Sequence, residues 1–223
     1  MSRLSRPIAR ARQLRLDLAR DAALDRESLI VSSSNAAAIA AVDAWPRWPG
    51  GRVALIGPAG SGKTHLGRLW AAAAGAVAAD RAEENDGRPL LLEDADRGVS
   101  DADLFHAFNL ADEGRALLIT ARTSPGGWPV RVADLRSRLR SLTVATIEPP
   151  DDVILARVMA QLFRERNIRP AESVADYILR RIERSVPAIQ ELIVRIDEVA
   201  QAGRREVNIA LVREILNQDA ETP

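Results

Sequence analysis

The sequence predicts an α/β fold: a core built on a parallel sheet, followed by a small all-α unit. Three observations predict it. The octapeptide Gly57-Pro58-Ala59-Gly60-Ser61-Gly62-Lys63-Thr64 fits the pattern G-x-x-x-x-G-K-[ST]. It lies between an apolar run, Val53-Ala54-Leu55-Ile56, and a helix-like run, His65-Leu66-Gly67-Arg68-Leu69-Trp70, as a phosphate-binding loop requires. Strand-like and helix-like segments alternate as far as Pro149-Pro150, which means βαβ units, and beyond that point the periodicity is helical.

The elements follow in order. Residues 1–20 carry Arg3, Arg6, Arg10, Arg12, Arg15 and Arg20 against a single acid, Asp17, and read as an arm. Residues 32–44 read as a helix capped by the Ser32-Ser33-Ser34-Asn35 run. Trp45-Pro46-Arg47-Trp48-Pro49-Gly50-Gly51 ends it. After the loop unit, Leu90-Leu91-Leu92 is a buried-strand signal that runs into Glu93-Asp94. Residues 101–112 read as a helix with Leu104, Phe105, Phe108 and Leu110 on its apolar side. Residues 116–120 and 144–147 are further strands, with an arginine-rich turn between them. Helices are expected over 151–166, 171–184, 186–201 and 208–217, with a short strand-like stretch at 205–207. The expected organisation is an arm over 1–24, a nucleotide-binding α/β domain over 25–149 and a helical domain over 150–223.

Composition narrows the function. The 223 residues hold 47% hydrophobic side chains, enough for a sizeable core. Lys+Arg and Asp+Glu both number 31, so the formal net charge is zero, which argues against a protein that coats nucleic acid through excess cations. The absence of cysteine excludes disulfides, thiolate metal sites and cysteine nucleophiles. No apolar run has the length of a membrane span, and the basic start lacks the apolar region of a secretory signal. A cytoplasmic protein without a membrane partner is expected.

The octapeptide carries the chemistry. Its glycines let backbone N–H groups turn toward phosphate oxygens, and the helix behind it points its positive end at the same anion. Lys63 reaches the β- and γ-phosphates, and Thr64 is placed to bind Mg²⁺. Glu93 and Asp94 form a candidate Walker B pair, with Glu93 as the metal-organising acid and Asp94 next to the attacking water. The more usual order has Asp first; the Glu-then-Asp order predicts weak hydrolysis. His65 and His106 are the only histidines and show no metal-ligand spacing. Trp45, Trp48 and Trp128 lie beside prolines or in loops, either packed on the core or forming a partner surface.

The order of these motifs resembles the AAA+ ATPases and, within them, the DnaA branch of bacterial replication initiators. The resemblance rests on Ser28-Leu29-Ile30-Val31-Ser32-Ser33-Ser34-Asn35-Ala36 before the loop and Lys63-Thr64-His65-Leu66 within it. It continues through Leu118-Ile119-Thr120, Asp134-Leu135-Arg136-Ser137-Arg138-Leu139, Ile147-Glu148-Pro149-Pro150, Arg166-Asn167-Ile168 and the segment from Val207 to Leu216. It spans about residues 28–217. It implies a AAA+ core with a helical lid that binds ADP or ATP with Mg²⁺ through residues 57–64 and His65. Ile30, Val31 and Asn35 would line the adenine site, Thr64 and Glu93 would serve the metal, and Thr120 would be sensor 1. Arg138 would be an arginine finger acting on a neighbouring subunit's nucleotide.

Two departures refine it. Aligned on the lid's third helix, Pro187 stands where a sensor 2 arginine is expected, and neither Arg184 nor Arg195 falls in register. Ala121-Arg122 stands where a small polar residue and an acid are expected. Both point to weak or no intrinsic ATPase activity. The chain also lacks, as read, the DNA-reading parts of an initiator, a layout that resembles the Hda family of DnaA-related regulators. Gln13-Leu14-Arg15-Leu16-Asp17-Leu18 fits the Q-L-x-L-x-L peptide such proteins use to dock on the sliding clamp, with Gln13, Leu14, Leu16 and Leu18 as anchors. The partners implied are DnaA and the β sliding clamp of DNA polymerase III, with DNA reached only through the clamp, and side-by-side contacts including a homo-oligomer. The expected function is negative regulation of replication initiation by stimulating ATP hydrolysis on DnaA. An adaptor that anchors DnaA without affecting hydrolysis and a stand-alone ATPase are the alternatives.

Overall fold

A computed structural model describes residue 26 and residues 29–81 and 87–220. Five parallel strands form one sheet: β1 (Arg52–Ile56), β2 (Val77–Ala78), β3 (Leu90–Leu92), β4 (Leu117–Ala121) and β5 (Thr143–Thr146), in the spatial order β2-β3-β4-β1-β5. The centre pairs Val53 with Leu118 and Ile56 with Ala121. Every residue of β4 is buried, because a central parallel strand is covered on both faces and tolerates only an apolar run.

Side chains alternate between the two faces. On one face, α3 (Asp101–Asp112) and α4 (Ala133–Arg140) set Leu104, Phe108, Leu135 and Leu139 against Leu90, Leu92, Leu117 and Ile119. On the other, α1 (Ala36–Asp43) and α2 (Lys63–Ala74) set Ile39, Val42, Leu66 and Trp70 against Val53, Leu55, Leu91, Leu118 and Ala145. The remaining helices, α5 (Asp152–Glu165), α6 (Glu172–Leu179), α7 (Val186–Gly203) and α8 (Ile209–Ala220), enclose a separate apolar cluster that includes Leu155, Phe163, Ile178, Ile189, Ile193, Leu211 and Ile215.

Local chemistry explains the boundaries. Ser100 and Asp103 form a reciprocal capping box on α3, the side chain of Asp151 caps α5, and Ser185 caps α7. Gly75, in the left-handed region, ends α2. Several expectations change. The arginine-rich turn is a helix, α4, anchored by Leu135 and Leu139 four residues apart. Asn35 does not cap α1: its Oδ1 instead accepts the Ser32 N–H at 2.9 Å and its amide donates to the Ile30 carbonyl at 2.8 Å, closing the preceding turn. Residues 205–207 form no strand, and the helix expected over 171–184 stops at Leu179. Trp48 stacks on Trp70 with ring centroids 5.1 Å apart, Trp45 meets the same ring edge-on, and Trp128 is buried against the α3–α4 side, so these rings pack on the core.

Candidate nucleotide-binding site

The loop at residues 57–62 joins the end of β1 to the start of α2. It is shaped by close approaches. A Cβ on Gly57 would lie 2.4 Å from the Ile147 carbonyl oxygen. Gly60 has φ +70°, and a Cβ there would lie 2.3 Å from Cδ of Pro187, in the first turn of α7. Pro187 thus rests on the 57–62 loop, presenting a pyrrolidine ring and no charge.

Lys63 is only 7% exposed and donates from Nζ to the carbonyls of Gly57 at 2.8 Å and Pro58 at 2.7 Å. Burial pushes its ammonium below the usual lysine range, with Asp94 opposing and Arg122 adding to the shift. The start of α2 has no side-chain cap, and Ser61 Oγ is buried without a partner among the described residues. Uncapped helix amides, an orphaned hydroxyl and a lysine folded over the loop fit a phosphate chain. Thr64 is exposed in the first turn of α2; His65 beside it is half-buried, and burial pushes its imidazole below the ordinary range.

Glu93 and Asp94 follow β3. Glu93 Oε2 meets Arg68 Nη2 at 3.3 Å, while Oε1 is buried without a partner among the described residues. Asp94 is exposed with φ +48°, and its N–H donates to Thr120 Oγ1 at 3.0 Å. Thr120 is fully buried and ties the end of β4 to the acidic turn. Oxygen donors at Thr64 and Glu93 suit Mg²⁺, which takes most of its ligands from phosphate and water. Among the described residues no three His, Cys, Asp or Glu side chains gather as a metal site.

Ile30, Val31 and Asn35 share one loop beside the start of α5. Ser33 Oγ donates to Asp151 Oδ2 at 3.2 Å, and the Glu148 N–H donates to the Ser34 carbonyl at 2.9 Å. The Ile154 N–H and the hydroxyls of Ser32 and Ser33 hold the Asp151 carboxyl below its usual range. Val31 is 52% exposed, and Ile30 lines a cavity of about 820 Å³ with Met159, Phe163, Ile168 and Pro170; no residue of the 57–64 loop lines it. Asp151 was not singled out from the sequence, nor was Asp96, whose Oδ2 accepts from the N–H groups of Arg122 and Thr123 and from the Thr123 hydroxyl. Each is one acid among many, and only its distant partners distinguish it.

Arg138 lies elsewhere. Its Nε meets Asp134 Oδ2 at 2.7 Å, and Nη1 meets Asp112 Oδ2 at 2.6 Å and Asn109 Oδ1 at 3.2 Å. Arg136 Nη2 donates to the Val130 carbonyl, Arg140 is exposed, and Arg184 pairs with Asp152. Gln13, Leu14, Leu16 and Leu18 lie outside the described residues.

No protein-family model matches the chain. The chromosomal replication initiator protein DnaA of Thermomicrobium roseum is 27% identical over 134 residues, 58% of this chain, and that of Geobacter metallireducens is 24% identical over 132 residues. The chain spans about 29% of the length of these curated relatives. Domain III of Thermotoga maritima DnaA superposes with a TM-score of 0.69 at 18% identity, covering 88% of this chain and 96% of that domain. DnaA bound to AMPPCP and single-stranded DNA gives 0.63 at 20% identity, covering 80% of this chain and 67% of that one. The Holliday junction branch migration motor RuvB of T. maritima gives 0.57 at 15% identity over 74% of this chain. The fold is that of the AAA+ proteins, and the sequence is related at low identity to the AAA+ part of DnaA.

Proposed function

We propose that this chain is a nucleotide-bound AAA+ regulator that switches off DnaA. ADP or ATP sits on residues 57–64, with Lys63 on the phosphates, Thr64 and Glu93 serving Mg²⁺, His65 behind the loop, and Ile30, Val31 and Asn35 beside the base. Asp94 and Thr120 occupy the Walker B and sensor 1 places. The chain hydrolyses its own nucleotide weakly or not at all, since Pro187 offers no charge to a γ-phosphate. Gln13, Leu14, Leu16 and Leu18 dock on the DNA-loaded sliding clamp, and Arg138 is delivered to ATP held by DnaA. The setting is the bacterial cytoplasm, with no membrane involved, and the domain limits are 1–24, 25–149 and 150–223.

The position of Arg138 carries this reading. It is bonded to Asp112, and the other oxygen of Asp112 is paired with Arg52, the first residue of β1. The phosphate-binding loop follows the last residue, Ile56, about 13 Å further along at ~3.3 Å per residue. Arg138 therefore sits at the wrong end of the sheet for its own nucleotide and is suited to one held by a neighbour, where such an arginine is worth about 10³–10⁵ in rate. The test combines DnaA–ATP, clamp-loaded DNA and this protein. Phosphate release is expected to accelerate and to lose the acceleration with Arg138→Ala; no acceleration, or equal acceleration by the variant, overturns the proposal.

One observation favours the adaptor reading. The Arg138 guanidinium is already bonded to carboxylates of its own chain. An adaptor would bind DnaA equally well with Arg138→Ala and leave hydrolysis unchanged.

A further inference from the structure

The guanidinium of Arg138 is held by four side chains from two helices. Nε–H is taken by Asp134, four residues earlier on α4. Both hydrogens of Nη1 are taken by Asp112 and Asn109, from the last turn of α3. The Phe105 ring lies 5.2 Å from Cζ. An arginine has five N–H donors in a rigid planar fork. Three are used here, and the two on Nη2 carry no contact among the described residues.

These contacts do not read as a device for stability. Asp112 is 45% exposed and Asp134 56%, and ion pairs between such groups add little to folding. They fix orientation instead. Bonds to two adjacent nitrogens set the plane of the fork and its rotation in that plane, and the aromatic face limits tilt. Asp112 is itself held through its second oxygen by Arg52, whose Cζ lies 5.5 Å from the centre of the Phe108 ring. The free Nη2 edge is thereby fixed in space while the side chain stays 23% exposed.

We propose that Asp134, Asn109 and Asp112 are positioning residues that aim the Nη2 edge of Arg138 at phosphoryl oxygens of a nucleotide held by the partner ATPase. The proposal rests on the reading of Arg138 given above. It turns the carboxylate contacts from a competitor of the partner's phosphate into the mount for the arginine that meets it. Two N–H groups on one nitrogen suit anionic oxygens, and a fork already oriented loses less freedom when it binds them.

The test is single-turnover phosphate release from DnaA–ATP on clamp-loaded DNA, titrated with the full chain carrying Asp134→Asn, Asp134→Glu, Asn109→Ala or Arg138→Ala. Asp134→Asn and Asn109→Ala are expected to lower the maximal stimulated rate about tenfold or more, as a misplaced reacting group does. The half-saturating concentration is expected to stay within about twofold, because docking does not depend on the aim of the fork. Asp134→Glu, which keeps a carboxylate four residues before the arginine, is expected to restore most of the rate. Thermal midpoints recorded alongside are expected to match the wild type. If Arg138→Ala abolishes stimulation while Asp134→Asn and Asn109→Ala stimulate fully, the positioning proposal is wrong and the function stands. A rise in half-saturating concentration with an unchanged maximal rate also overturns it. If the wild-type chain does not stimulate, or Arg138→Ala stimulates equally, the function fails and the positioning role with it.

Discussion

Thr120 shows how much one buried side chain can organise. Its hydroxyl oxygen accepts the Asp94 N–H, and its methyl group would stand 3.3 Å from a Cβ on Gly67 of α2. Thr120→Val keeps the volume and removes the acceptor, so it should cost about 1 kcal/mol in chemical denaturation and loosen the acidic turn; Thr120→Ser should cost less in hydrogen bonding. A valine variant as stable as the wild type would remove that role. His65 gives a pH dependence. Burial holds its imidazole below the ordinary 6.5, so between that value and its folded value the unfolded chain binds the proton and the folded chain does not. Its contribution is intact above pH 6.5 and falls away below it. The melting temperature should therefore drop more between about pH 7.5 and pH 5.5 in the wild type than in His65→Gln, and equal drops would contradict the assignment. The depressed carboxyls of Asp151 and Glu214 titrate below their ordinary values of 3.8 and 4.5 and stay outside that window. At this scale the sequence was legible where chemistry is local: Lys63 and Thr64 stand in a contiguous motif. Asp151 was not, because its partner Ser33 is 118 residues away.

At the scale of elements, α7 meets the 57–62 loop at a close joint. Gly60→Ala would press its Cβ against Cδ and Cγ of Pro187, at 2.3 and 2.9 Å, and hold a non-glycine residue at φ +70°. The expected cost is about 1–3 kcal/mol for the overlap, in addition to the backbone term. Pro187→Ala removes both ring carbons that collide, so in a double-mutant cycle it should recover the overlap part and leave the backbone part. Additive effects in denaturant titrations would mean that α7 does not rest on the loop. Helices α5 and α7 were legible because apolar residues recur at helical spacing over long stretches. The eight residues of α4 were not, since four are charged at Asp134, Arg136, Arg138 and Arg140, and only Leu135 and Leu139 mark the buried side. Strand β2, two residues long, is too short to carry a pattern and exists by pairing with β3. Asn35 misled for a different reason: the same amide that caps a helix also closes a turn, and here the turn took it.

For the whole molecule, alternation of strands and helices announces a parallel sheet but not the order β2-β3-β4-β1-β5, because pairing is set by contacts between distant segments. The apolar cluster of α5–α8 is separate from the two that sandwich the sheet. Among the described residues, contacts linking the helical part to the sheet part include Ser33 with Asp151 and Pro187 against Gly60, and these flank the candidate site. If the proposed reading holds, a nucleotide bound there would touch both parts and stabilise them together. ADP at a hundred times its dissociation constant should add about 2.7 kcal/mol to unfolding. Lys63→Ala should abolish the thermal shift. Asp151→Ala, which removes the tie between α5 and the 30–35 loop without touching the phosphate-binding loop, should reduce the shift at the same ADP concentration and weaken ADP binding in a fluorescence titration. Wild-type affinity and shift in Asp151→Ala would mean that the nucleotide is held by the sheet part alone, and that the helices over it report nothing about its occupancy.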